Sequence, residues 1–380
     1  VRLGFGLSFL SARVAHGKLD GIGVYTKALW RAFEDIDSME LSPLSFSSSD
    51  DISLTEELLG SKVLGTPLSY PIHSGISSIL GRPIGELGSY EKSIDMFFAP
   101  DHHIPFLKST PVVATVMDII PFIEPQWASG RLRRVKNFAF QRAVESSQHI
   151  ITVSQHSKRD IIEYFDVDDN SISVVPLGVD SRFFERVDLG YIEEIRARYH
   201  IDRDFFLFVG TLQPRKNILR IIESYMALPK SAREESMLVL VGQDGWGSSE
   251  LKKKIDEMVK DGAGLWLSYL PQDEVYALMQ SAKAIVYPSL YEGFGLPILE
   301  AFASQTPIIT STTTSMPEVA GDAALLVDPY SIDEISSAMH RIIDDASICS
   351  KLVSMGSKRV EKFSWKNSAK RHIELFETIW

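Results

Sequence analysis

The chain has 380 residues, 44% of them hydrophobic and 23% charged, with 50 acidic against 39 basic side chains and a formal charge of −11. That length and apolar content suit about two globular domains with sizeable cores. The acidic balance argues against general nucleic-acid binding, which needs a basic face to neutralise phosphates. The single cysteine excludes an intramolecular disulfide framework or a cysteine-rich zinc site, and suits a reducing compartment.

Val1–Leu10 has no charged stretch ahead of a long apolar core, so it is expected to be a first buried strand and not a secretion signal. No run of about 18 uncharged apolar residues occurs anywhere, so no spanning helix is expected. In chain order the first half alternates short apolar runs (Leu3–Phe9, Ile94–Ala99, Val112–Val116, His149–Val153, Ile172–Val175) with amphipathic stretches (Gly23–Phe33, Leu132–Val144, Ser157–Phe165). Ser47–Ser93, rich in Ser and Gly and weak in periodicity, reads as an irregular insertion. The second half alternates more regularly. Its expected strands are Phe205–Val209, Met237–Val241, Leu265–Leu267, Ala284–Tyr287, Pro307–Thr310 and Ala324–Val327. Its expected helices are Asn217–Ala227, Glu250–Lys260, Asp273–Gln280, Leu296–Ala303 and Ile332–Asp344. Uninterrupted apolar strands between helices are the pattern of parallel sheets covered on both faces. The fold expected is therefore α/β, two doubly wound Rossmann-like domains, with a boundary near 186/187. Ligands of such sheets bind at the carboxyl ends of the strands, so two domains in tandem imply a central cleft lined by those ends.

Five constellations lie where such a site belongs. Asp20-Gly21-Ile22-Gly23 precedes a helix, and Gly21 and Gly23 would let backbone N–H groups meet a phosphate. Asp101-His102-His103 and Met117-Asp118 follow strands; Asp118 could orient a sugar hydroxyl or accept a proton, and of the two histidines His103 is the candidate. The stretch 131–142 carries five cations and no acid, so it is either a solvated face or a contact for anionic lipid headgroups. Gly210-Thr211 ends a strand, and Arg215-Lys216 follows at a helix start. Cations there oppose the helix dipole and need a reason, which a diphosphate would supply. Glu292-Gly293-Phe294-Gly295-Leu296-Pro297 lies after another strand, with Glu300 a turn into the next helix. Eight helical residues would set the two acids roughly 12 Å apart, beyond the roughly 5–9.5 Å of a glycosidase pair. No metal cluster and no Asp-x-Asp element at a strand end stands out.

Taken together, Gly210…Pro214-Arg215-Lys216-Asn217, Glu292…Glu300 with Gly-Phe-Gly-Leu-Pro between, Ser154…Ser157, Pro176–Val179 and Pro317–Ala323 resemble glycosyltransferase family 4, the retaining group with the GT-B fold. The likeness is strong over 149–330 and thinner before 110. It implies transfer of a hexose from a nucleotide diphosphate sugar as co-substrate, with retention and without a metal or other cofactor. Arg215 and Lys216 would hold the diphosphate, Glu292 would face the donor sugar, and the backbone of Phe294–Pro297 would contact sugar and phosphate. Glu300 would bind the ribose, the loop at Tyr269-Leu270 the base, and Gly21 and Gly23 would line the cleft from the first domain. His103 and Asp118 fall on the acceptor side. The likeness also implies three segments: 1–186 acceptor-side, 187–362 nucleotide-sugar-binding, and a helix in 363–380 returning to the first domain. Two departures stand out. Met117 replaces a donor-sugar histidine and cannot make its hydrogen bond, and Thr211 stands where some members have Arg. The form around Asp118 leans towards mannosyltransferases of polysaccharide assembly using GDP-mannose, with a lipid-linked or polysaccharide acceptor at the inner face of a membrane. A UDP-hexose donor and a non-catalytic nucleotide-sugar-binding homologue are the alternatives.

Overall fold

The computed structural model describes residues 1–15, 21–36, 39–47, 49–66, 70, 73, 76–77, 80–101, 103–127, 137, 140–141, 144–145, 147–245 and 249–379. The chain divides into two compact units, Val1–Gly178 with Trp365–Trp380, and Val179–Ser364. Residues 179–186, grouped with the first domain on sequence, thus pack with the second.

In the first unit seven parallel strands stand in the order β3-β2-β1-β4-β5-β6-β7. These are β1 Arg2–Gly6, β2 Glu40–Ser45, β3 Leu64–Gly65, β4 Met96–Ala99, β5 Val112–Thr115, β6 His149–Thr152 and β7 Ile172–Val174. In the second unit six parallel strands stand in the order β10-β9-β8-β11-β12-β13. They are β8 Asp204–Val209, β9 Ser236–Val241, β10 Gly264–Leu267, β11 Ala284–Tyr287, β12 Ile308–Ser311 and β13 Leu325–Val327. Strands β4, β5, β6, β9, β11 and β12 are buried at every residue, as unbroken apolar or small-residue runs require when helices cover both faces. Each sheet reverses its strand order once, between β1 and β4 in the first and between β8 and β11 in the second. A crevice opens at such a reversal, because the helices following the two central strands leave on opposite faces.

Three expectations fail in the first unit. The first strand stops at Gly6, and a helix, Ser8–Ala15, begins where the strand was extended to Phe9. Ser47–Ser93 is not irregular throughout, since it holds the helix Ser49–Leu59, strand β3 and the helix Leu87–Ser93. Strand β2 was passed over because Pro43 and three polar residues interrupt its apolar pattern, yet Pro43 takes a place in register opposite Phe5. The basic stretch 131–142 falls largely outside the described residues, as do Asp20 and His102.

The last helix, Trp365–Ile379, completes the first unit's core. Phe376 meets Phe33 and Phe98 at centroid separations of 6.2 and 5.5 Å. Apolar Ala369 and Phe376 are buried on it, and so are the polar Ser368 and His372. His372 is fully buried. Its Nδ1 donates to the Ser368 carbonyl at 2.8 Å, which leaves Nε2 to accept from the Tyr25 hydroxyl at 3.0 Å. The Tyr25 oxygen in turn accepts from Thr115 at 2.8 Å. Burial among Phe33, Phe98 and Phe376 pushes the imidazole down to about 4, so it is neutral near pH 7.

Candidate active site

The crevice of the second sheet gathers the charged residues of two separate motifs. After β8 a 3-10 turn, Pro214–Lys216, carries both cations; after β11 the loop carries Glu292. The Arg215 guanidinium meets Glu292 Oε2 at 2.6 Å, and the Lys216 ammonium pairs with Oε1. Tyr287, the last residue of β11, donates its hydroxyl to the same Oε1 at 2.9 Å and accepts from Lys216. Burial alone would raise the Glu292 carboxyl. The two cations and their hydrogen bonds outweigh it and hold the group at about 2. Two positive charges against one negative leave this cluster with a surplus of about one unit, suited to an incoming anion.

The backbone around the cluster is fixed on both sides. Asn217 adopts a left-handed conformation (φ 64°) that ends the 3-10 turn and starts the helix Ile218–Met226. Its amide donates to the carbonyls of Pro288 (3.0 Å) and Pro329 (2.6 Å), and the Leu290 N–H donates to the Arg215 carbonyl at 2.7 Å. The two loops are thereby tied to each other. Ser315 donates to the carbonyls of Glu292 (2.8 Å) and Phe294 (3.0 Å), pinning the glycine loop from below. Gly295 (φ 97°) turns that loop into the helix Leu296–Ala303; a Cβ there would lie 2.8 Å from the Met316 sulfur. Pro297 occupies the first turn, where its missing N–H is harmless. At the end of β9, Gly242 leaves no room at all, since a Cβ would sit 1.9 Å from the Gly210 carbonyl oxygen. The close approach of these two strand ends shapes the Gly210-Thr211 turn.

The other residues assigned to the donor occupy the same end of the sheet. Thr211 is exposed, Gly210, Leu296 and Pro297 are half-buried, and Gly293 and Phe294 are buried. Beyond β10, Tyr269 is 63% exposed beside buried Leu270, the disposition of a ring available for stacking. Glu300 is half-buried in the helix Leu296–Ala303. Burial raises its carboxyl to about 7, with Lys216 pulling the other way and Asp180 adding to the rise. The two motif acids thus sit in opposite environments, one clamped by cations and one titrating near neutrality. Sequence reasoning gave no role to Tyr287, Ser315 or Gly242 and held Asn217 only as part of the phosphate-binding segment; of the first three, only Gly242, after an apolar run, carried a recognisable signal.

In the first unit Gly21 opens the helix Gly21–Glu34 and Gly23 is buried in it, but a Cβ on Gly21 would meet nothing within 4 Å. The helix Ser8–Ala15 intervenes between that helix and β1, so the pair is not a tight strand-to-helix turn. After β4, Asp101 Oδ1 accepts from both the backbone N–H (2.6 Å) and Nδ1 (2.7 Å) of His103, whose ring lies edge-to-face with Tyr70 at 4.9 Å. After β5, Asp118 caps the turn at Ile120 N–H (3.2 Å), and Met117 is half-buried. Among the described residues no group of three His, Cys, Asp or Glu side chains is placed to hold a metal, and no helix is long and apolar enough to cross a membrane.

Two cations at the reversal of a doubly wound sheet, beside a glycine loop and an acid, form a positively charged crevice at the strands' carboxyl ends, and the chain's likeness to known proteins names its class. Residues 192–359 match the model of glycosyl transferases group 1, and residues 95–183 match that of glycosyltransferase family 4. O-antigen chain mannosyltransferase B of Escherichia coli is 30% identical over 284 residues, 75% of this chain and 74% of that protein. The serotype-specific mannosyltransferase WbdA of Escherichia coli is 26% identical over 306 residues, 78% of this chain but 36% of its own length. The chain therefore spans three quarters of one curated relative and about a third of the other. In fold it resembles the crystal structure of Anabaena HepE in complex with UDP and glucose, with a TM-score of 0.75, 17% identity and 99% of each chain covered. The chain belongs to glycosyltransferase family 4 and has its GT-B fold of two Rossmann-like domains; it is a glycosyltransferase.

Proposed function

We propose that this glycosyltransferase moves mannose from GDP-mannose to a lipid-linked or polysaccharide acceptor in cell-surface glycan assembly, with retention and without a metal. The observation that carries the donor site is the Arg215–Lys216–Glu292 cluster at the β8/β11 reversal. In the transfer, the bond from the anomeric carbon to the diphosphate breaks, the acceptor oxygen takes its place, and the acceptor proton leaves with the nucleotide diphosphate. Negative charge develops on the departing phosphate, and Arg215 and Lys216 are placed to stabilise it, a large contribution when the donors are already oriented. Glu292 suits an electrostatic and positioning role. A carboxylate clamped by two cations and a phenol, and held at about 2, is a poor nucleophile for a covalent glycosyl intermediate. The mannose reading is supported by the names of the relatives and by the segment around Asp118, with His103 and Asp118 on the acceptor side.

Thermal shift with GDP, UDP and ADP tests the donor reading, followed by the sugar nucleotides of the base that stabilises. Saturation at 100 times the dissociation constant adds about 2.7 kcal/mol. Stabilisation by GDP and turnover of GDP-mannose are expected. Stabilisation by UDP alone would replace mannose with a UDP-hexose, and a site that binds but never releases nucleotide diphosphate would mark a non-catalytic homologue. The basic stretch 131–142 makes an anionic membrane surface the expected partner of a lipid-linked acceptor. Flotation with phosphatidylglycerol vesicles checks it, with loss of binding when Arg131, Arg133 and Arg134 are neutralised.

A further inference from the structure

The hydroxyl of Tyr287 is the least expected member of the cation cluster. A strand buried on both faces needs only an apolar ring at its end, and the Tyr287 ring serves as one, stacked on Phe208 at 6.2 Å between centroids and an interplanar angle of 21°. Phenylalanine would pack there equally well. Instead the side chain carries one polar atom into the interior, and both capacities of that atom go to charged partners. It donates to Glu292 Oε1 at 2.9 Å and accepts from the Lys216 ammonium, which lies 4.7 Å from the ring centroid on the hydroxyl side. The rest of the residue is fixed as well: its carbonyl accepts from Thr310 at 3.0 Å, and β12 pairs with it in register.

From this arrangement we infer that Tyr287 is a positioning residue for transfer: its hydroxyl holds the Lys216 ammonium where the leaving phosphate's charge appears. The inference rests on the diphosphate reading of the site. Lysine places its charge on a flexible four-carbon stem, whereas arginine brings a planar fork. Arg215 has further anchors in Gln213 (3.2 Å) and the Tyr291 carbonyl (3.3 Å). The Lys216 ammonium pairs with Glu292 and donates to the Tyr287 hydroxyl. A bound diphosphate competes with Glu292 for both cations. When the carboxylate yields, the Tyr287 hydroxyl still holds the ammonium. Burial, reinforced by the charge of Glu292, drives the phenol's ionisation well above its ordinary range, so the hydroxyl remains a neutral donor throughout any working pH.

The test is Tyr287→Phe in the full chain, read by nucleotide diphosphate release from the donor. The expected result is a kcat about tenfold lower, with the dissociation constant for the nucleotide diphosphate within threefold of wild type. In a Lys216→Ala background the same substitution is expected to add nothing, because the group it positions is gone. Phe208→Leu disturbs the ring packing but keeps the hydroxyl, so it is expected to lower Tm without that loss in kcat. Wild-type kcat in Tyr287→Phe overturns the inference. So does a tenfold loss that persists beside Lys216→Ala, or a Phe208→Leu variant that reproduces the kcat loss at equal Tm. If Arg215→Ala also turns over normally, the diphosphate reading falls with it; if Arg215→Ala is crippled and Tyr287→Phe is not, only the role of Tyr287 falls.

Discussion

Each unit buries a tyrosine whose hydroxyl bridges two partners, and the two networks are opposite in kind. In the first unit Tyr25 joins Thr115 to a histidine kept neutral by its aromatic surroundings. In the second, Tyr287 joins an ammonium to a carboxylate kept ionised by two cations. The first network has no net charge to offer a ligand and serves to dock a helix. The second holds a surplus of positive charge at the carboxyl end of a sheet. Similar hydroxyl geometry therefore says little about role; what separates an anchor from a reactive centre is whether the partners carry charge that a ligand can exchange for.

The contrast is most exposed by removing a cation. Arg215→Ala and Lys216→Ala should each reduce turnover about 10²–10³-fold, equivalent to about 3–4 kcal/mol in the barrier. Steady-state release of nucleotide diphosphate checks this, and near-normal rates in both would leave the second cluster as structural as the first. Acidification should then separate the units. His372 falls from an ordinary 6.5 to about 4 on folding, so its stabilising contribution is complete above pH 6.5 and is lost as pH falls from there through about 4. At 1.36 kcal/mol per pH unit this is on the order of 3 kcal/mol. Glu292 falls from 4.5 to about 2, so its contribution survives down to pH 4.5 and is lost between there and about 2. The first unit should therefore loosen at milder acid than the second. Hydrogen exchange resolved by unit, between pH 7 and 3, would show it. His372→Gln should flatten the upper window, Glu292→Gln the lower, and a single transition shared by both units would dissolve the distinction. The smallest effect is expected at Glu300. Glu300→Ala should weaken nucleotide binding by about tenfold, the scale of one or two hydrogen bonds to a charged group, and harm kcat less. Because the Glu300 carboxyl stands near 7, wild-type affinity should also rise with pH across neutrality as the carboxylate forms, and the variant should lose that slope. Calorimetric titration at pH 6 and 8 decides it.

Much of the second unit was legible in the residues themselves. Its strands are apolar without interruption, and its helices Leu296–Ala303 and Ile332–Asp344 begin and end where the pattern places them. The cations and the acid were found as local motifs after strands; that they meet on one carboxylate was not, because pairing across 76 or 77 residues leaves no local trace. Tyr287 hid for a related reason, since at a strand's end its ring satisfies the apolar pattern and its hydroxyl changes nothing in the periodicity. The first unit resisted for other reasons. Its β2 contains Pro43, β3 has only two residues, and the turn from β1 into the helix at Ser8 falls inside a run that reads as strand. His372 escaped because a polar residue on an amphipathic helix reads as solvent-facing unless its partners are known.

The helix Trp365–Ile379 belongs to the first unit's core but follows every residue of the second. On a ribosome adding roughly 5–20 residues per second, the intervening segment takes roughly 10–40 s to emerge. Throughout that interval Phe33, Phe98 and Tyr25 have been made and their partners Phe376 and His372 have not. The nascent chain carries an open apolar face while a complete second sheet assembles behind it. The order of synthesis thus makes the first unit finish folding after the second, and makes it the one that more depends on protection while it waits.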